Sequence, residues 1–78
     1  MTLFECEIDQ EVKVISVEGI RKIRKRLIDM GITTNTKLKI IRKAPLGDPI
    51  EIKLRGYSLS LRMDDAKKIK VEKVWNRQ

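Results

Sequence analysis

At 78 residues the chain has room for one small domain, expected over 1–78, and not for a deep enclosed pocket, because a domain of this size buries only about 60% of the surface its unfolded chain exposes. Its 18 Lys and Arg against 11 Asp and Glu give a formal charge of +7, which admits nucleic acid, an anionic membrane surface or an acidic protein as partner. A single cysteine, no histidine and no apolar run near the length of a membrane span exclude an intrachain disulfide, a histidine-based catalytic centre and a transmembrane helix.

Residues 1–18 hold five acids and one base, whereas the other sixty hold 17 bases and six acids. The acidic start, Met1 to Gln10, lacks the basic-then-apolar pattern of an export signal, so a cytoplasmic protein is expected. Val12 to Val17 is dense in β-branched residues and reads as a strand. Its apolar phase slips between Val14 and Ile15, which predicts a bulge or a two-sided strand. Ile20 to Met30 reads as a helix of about three turns, with Ile20, Ile23, Leu27 and Met30 on one stripe and Arg21, Lys22, Lys25 and Arg26 opposite. Gly31 ends it, since glycine enters the left-handed region without a Cβ clash.

Three stretches of period-two alternation follow, centred on Leu38 and Ile40, on Ile50, Ile52 and Leu54, and on Tyr57, Leu59 and Leu61. Two prolines stiffen the connection Ala44-Pro45-Leu46-Gly47-Asp48-Pro49, and Gly56 suits a tight hairpin. Asp64 is placed to cap one short helical turn, with Ala66 and Ile69 facing inward, before a last strand over about Lys70 to Val74. Five short strands, one helix and one helical turn predict a mostly-β fold, a small barrel, which removes exposed strand edges. Its expected core is Val14, Ile23, Leu27, Leu38, Ile40, Ile52, Leu59, Leu61, Ile69 and Val71.

Catalysis finds little support. Cys6 has no histidine to activate it and sits among carboxylates that raise a thiol pKa, and no Gly-rich phosphate loop occurs. Cys6 with Glu5, Glu7 and Asp9 makes at best a weak metal site; a solvated acidic edge is the simpler reading. Neither a resident metal nor a cofactor is expected. Aromatics are few (Phe4, Tyr57 and Trp75), which argues against base stacking, and no second helix precedes the basic one in helix-turn-helix order. The helix bases therefore have two readings, a patch that meets phosphates or acidic side chains, or the wet face of an amphipathic helix. Leu46 also has two: a rigid loop presents it to a partner, or it folds back to plug the end of the barrel.

Three blocks in this order carry a resemblance: Arg26-Leu27-Ile28-Asp29-Met30-Gly31-Ile32, Ala44-Pro45-Leu46-Gly47-Asp48-Pro49-Ile50, and Leu59-Ser60-Leu61-Arg62 followed by Ala66, Ile69 and Val71-Glu72. From about residue 4 to 74 the chain resembles the ferrous iron transport protein A (FeoA) family. Two turns depart from that family's pattern: Asp9-Gln10 and Thr34-Asn35 stand where Pro-Gly or a similar turn is common. The resemblance implies an SH3-like barrel and an accessory role, not an enzymatic one, in ferrous iron uptake. The implied partner is the cytoplasmic GTPase part of the membrane transporter FeoB, with the membrane met only through that partner and self-association open. The expected contact residues are Ala44, Pro45, Leu46, Gly47, Asp48 and Pro49, with Leu61, Arg62, Arg21, Lys22 and Lys25. A nucleic-acid-binding SH3-like module and a weak iron carrier are the alternatives.

Overall fold

The computed structural model describes residues 1–74; positions 75–78 of the expected domain, Trp75 among them, lie outside the described residues. Its elements in chain order are a 3-10 turn (Leu3–Glu5), β1 (Glu11–Val17), α1 (Arg21–Asp29), β2 (Lys37–Lys43), β3 (Ile50–Leu54), β4 (Tyr57–Leu61), α2 (Met63–Ala66) and β5 (Ile69–Lys73). The five strands form one antiparallel sheet in the order β4-β3-β2-β1-β5. The chain is mostly β, as the alternation predicts.

Local sequence signals account for the joints. The register of β1 against β5 shifts between Val14 and Ser16, so Ile15 is the extra residue that the phase slip predicts. Arg55 and Gly56 both take positive φ, 50° and 84°, as a two-residue hairpin between twisted strands requires. Helix α1 starts after Ile20 and ends at Met30, within its expected bounds.

The inner face of the sheet packs Val12, Val14, Leu38, Ile40, Ile52, Leu54, Leu61, Ile69 and Val71 around Leu27 and Ile32. Ile23 and Leu59, both expected in the core, are only half-buried. The apolar stripe of α1 is thinner than its spacing suggests. Leu27 alone is fully buried, and Ile20, 66% exposed, lies at the helix cap outside the packed part.

The N-terminal segment adds what alternation does not reveal. Leu3 and Cys6 are buried in the core, while Glu5, Glu7 and Asp9 stay in water. Val71 N–H donates to the Met1 carbonyl at 2.8 Å, and a bridge joins Thr2 to Lys70, so this segment covers the outer edge of β5.

Two long-range polar contacts seat the helices. Arg26 Nη2 donates to Asp65 Oδ1 at 2.7 Å, so Arg26 ties α1 to α2 instead of belonging to a free basic face. Asp64 does not cap α2, because Arg62 occupies the cap position. The first N–H of α2, on Met63, donates instead to Asp48 Oδ1 at 3.1 Å. Asp65 is nearly buried and Arg26 is half in water. Arg26→Ala should therefore destabilise the fold by about 1–3 kcal/mol, chiefly by stranding the Asp65 carboxylate. Urea melts check this, and Asp65→Asn in the same background should recover part of the loss.

Candidate interaction surface

The loop between β2 and β3 is held at both ends. Ala44 N–H donates to the Pro49 carbonyl at 3.1 Å and Gly47 N–H to the Ala44 carbonyl at 2.7 Å. Gly47 adopts φ 82°, a region closed to most side chains. Asp48 braces the loop against α2 by accepting from Met63 N–H. Phe4 backs the loop at Gly47, and the Lys67 ammonium lies 5.1 Å from the centre of its ring. Leu46 at the tip is 92% exposed, so it does not plug the end of the fold. Pro45 and Pro49 flank it in water.

Arg62 lies beside this loop and is exposed. Leu61 does not belong to the surface. Its side chain alternates inward from β4 and is 2% exposed, so it serves the core and is withdrawn as a contact residue.

The helix bases form a second surface. Arg21 and Lys25 line an open groove of about 730 Å³ between α1, the end of β1 and the segment before β2, and Lys25 also pairs with Asp29 at 3.3 Å. Arg24, another of the helix bases with a patch reading, lines it too, together with Ile28 and Thr34, which were not expected at a site. Ile28 is 49% exposed, which gives the groove an apolar wall beside its cationic rim. The signal was present in the sequence: Ile28 follows Arg24 by four residues and lies off the buried stripe, so both face the same side. Lys22 is exposed but does not line the groove. The groove shares no residue with the Ala44–Pro49 loop, so the expected contact set divides into two patches.

The FeoA domain pattern matches residues 1–73, nearly the whole chain. This chain belongs to the FeoA domain family. It is 36% identical over 72 residues to an Fe(2+) transport protein A/Fe(2+) transporter FeoB fusion protein of Porphyromonas gingivalis, a match over 92% of the chain and only 8% of that relative's length. A FeoA-like protein from Clostridium acetobutylicum superposes with a TM-score of 0.88 at 47% identity, covering all of this chain and 91% of that one. The Stenotrophomonas maltophilia FeoA complexed with zinc superposes at 0.81 with 26% identity, covering 92% and 89%. It is described as a prokaryotic SH3 domain protein and put forward as a ferrous iron transport activating factor. The fold here is of that SH3-like kind.

Both turns that depart from the FeoA pattern hold a residue at positive φ, but only Asn35 stands at the glycine position. Asp9 stands where that pattern has proline, whose ring fixes φ at about −65°, so the first turn takes a different backbone path. Asp9 adopts φ 68° and Asn35 φ 73°. Short polar side chains tolerate this region better than others do. In the FeoA fold Cys6 turns inward and is 1% exposed, with its Sγ 3.6 Å from the Thr2 carbonyl. Burial pushes its thiol above the ordinary range; Lys43 opposes the rise and Glu5 adds to it. The expected direction is right, but burial and not the carboxylates is its main cause. Among the described residues no three Asp, Glu, Cys or His side chains converge as metal ligands, and the inward thiol removes the soft ligand of an iron-carrier reading. No helix among the described residues is long and apolar enough to cross a membrane.

Proposed function

We propose that this chain is a non-enzymatic cytoplasmic adaptor of ferrous iron uptake that binds the cytoplasmic GTPase part of FeoB and modulates it. The observation that carries this reading is the relative in which a matching segment is joined in one polypeptide to the Fe(2+) transporter FeoB. Fusion supplies a high local concentration of one partner for the other, a gain only where the two work together. The surface supports an adaptor in turn. An exposed apolar side chain on a braced loop and a cationic groove suit a protein partner that offers a small pocket and acidic side chains.

The proposed contacts are Leu46 with its loop neighbours Ala44 to Pro49 and Arg62, and Arg21, Lys22 and Lys25 as the steering charges. A loop already ordered by Asp48 and Gly47 loses little entropy on docking. Leu46→Ala should weaken binding to the FeoB cytoplasmic domain by about 1–2 kcal/mol, through faster dissociation. Arg21→Glu with Lys25→Glu should instead slow association, most at low salt. Surface plasmon resonance across a salt series separates the two effects. Should Leu46→Ala bind like wild type while only the charge variants fail, the loop is structural and electrostatics alone governs the encounter.

A further inference from the structure

The sheet face turned away from the core carries charge that the fold itself does not need. Strand register sets Lys39 of β2 between Lys53 of β3 and Glu11 of β1, and Lys37 beside Lys13, while Arg55, in the hairpin just past β3, lines the same depression as Lys37. Adjacent strands lie about 4.8 Å apart, so Lys37, Lys39, Lys53 and Arg55 form a block around one depression, with the Glu11 carboxylate on the β1 side of Lys39. Like charges directly opposite one another destabilise a sheet. Elsewhere on this face Lys13 pairs with Glu72 at 3.3 Å and Arg42 with Glu51 at 3.6 Å. Among the described residues no carboxylate comes within ion-pair distance of Lys37, Lys39, Lys53 or Arg55. Arg55 reaches only the Thr36 hydroxyl, at 3.3 Å. The block lines a shallow depression of about 320 Å³ with Glu11 at its edge.

We propose that this block docks the protein on the surface of an anionic phospholipid bilayer, with Lys37, Lys39, Lys53 and Arg55 meeting headgroup phosphates. Three observations favour a lipid surface over other polyanions. Lys37, Lys39 and Lys53 stand on two adjacent strands with Arg55 at the hairpin beside them, a broad surface that suits a planar array of phosphates. Among the described residues no aromatic side chain lines the depression to stack a base. Among the described residues no helix projects from this face to enter a groove of a duplex, since α1 packs through Leu27 on the core side. Basic clusters beside an anionic leaflet gain affinity with each Lys or Arg and lose it as salt screens them. The inference rests on the reading that the chain works beside a membrane transporter, and it adds a direct lipid contact to the contact made through FeoB. The groove and the Leu46 loop remain available to the protein partner.

Co-sedimentation of the full chain with vesicles tests it in the absence of any transporter, so its outcome is separate from that of the FeoB binding experiment. Vesicles of phosphatidylcholine with 30% phosphatidylglycerol should bind the protein at low salt, and pure phosphatidylcholine vesicles should not. Lys39→Gln with Lys53→Gln should weaken that binding roughly tenfold. The control Lys67→Gln with Lys73→Gln removes the same charge elsewhere and should change it less than about threefold. The Lys39 and Lys53 variant should melt close to wild type, because relief of the Lys39–Lys53 repulsion offsets the lost attraction of Lys39 to Glu11. Equal losses in the two double variants would show an effect of net charge alone and overturn the proposal. So would equal binding to neutral and anionic vesicles, or a duplex RNA or DNA that binds more tightly than the anionic vesicles and depends on the same two lysines.

Discussion

Leu27→Ala should lower the unfolding free energy by about 2–5 kcal/mol, the usual range for a fully buried leucine. Leu27 is the one residue of α1 with no exposed surface. Ile23 and Met30 flank it only half-buried, and the rest of the helix meets water. The hydrophobic grip of α1 on the sheet thus concentrates in one side chain. The backbone around it has little freedom to close the cavity, because Ile32 N–H donates back to the Leu27 carbonyl at 3.1 Å and Ile32 is itself buried. Urea denaturation should show a lower midpoint at nearly constant slope. A loss below about 0.5 kcal/mol, the level of an ordinary surface change, would mean that the helix does not pack there.

Gly31→Ala should destabilise by about 2–4 kcal/mol, from two separable causes. Gly31 adopts φ 101°, where an L side chain is strained. A Cβ there would also lie 2.5 Å from the Tyr57 hydroxyl oxygen. That hydroxyl cannot simply swing away, because it donates to the Met30 carbonyl at 2.9 Å, one of the carbonyls left open at the end of α1. Tyr57→Phe alone should cost about 1 kcal/mol for the lost hydrogen bond. Combined with Gly31→Ala it removes the clash but leaves the backbone strain. The double variant should then be less destabilised than the sum of the single ones, by about 0.5–1.5 kcal/mol. Strict additivity in thermal melts would show that the tyrosine yields freely and that only the backbone conformation demands glycine.

Both positions belong to the part of the molecule that local sequence describes well. A helix that ends at Gly31, a hairpin at Gly56 and a bulge at Ile15 follow from backbone chemistry within a few residues, so neighbours along the chain suffice to predict them. The strand alternation likewise separates inward from outward side chains, and it places Leu61 in the core even though the family pattern drew it toward the contact surface. Composition shaped the expectation about function: the lack of histidine and the excess of bases direct attention to a binding surface.

Only the tertiary structure decided which charges are free and where the apolar side chains outside the periodic pattern go. Arg26 looks like its neighbours Arg24 and Lys25 until Asp65, 39 residues away, claims it. Asp48 reads as a turn residue until Met63, 15 residues on, supplies the N–H that it accepts. Leu3 and Cys6 carry no strand or helix period; they are buried because the segment around them lies along β5, an element from the other end of the chain. The block of Lys37, Lys39, Lys53 and Arg55 depends on strand register, and a shift of one residue would move those bases to the opposite face. Propensity and periodicity are short-range properties of the chain. Partner choice among side chains is set by where the packed sheet and helices bring distant residues together, and that is a property of the whole fold.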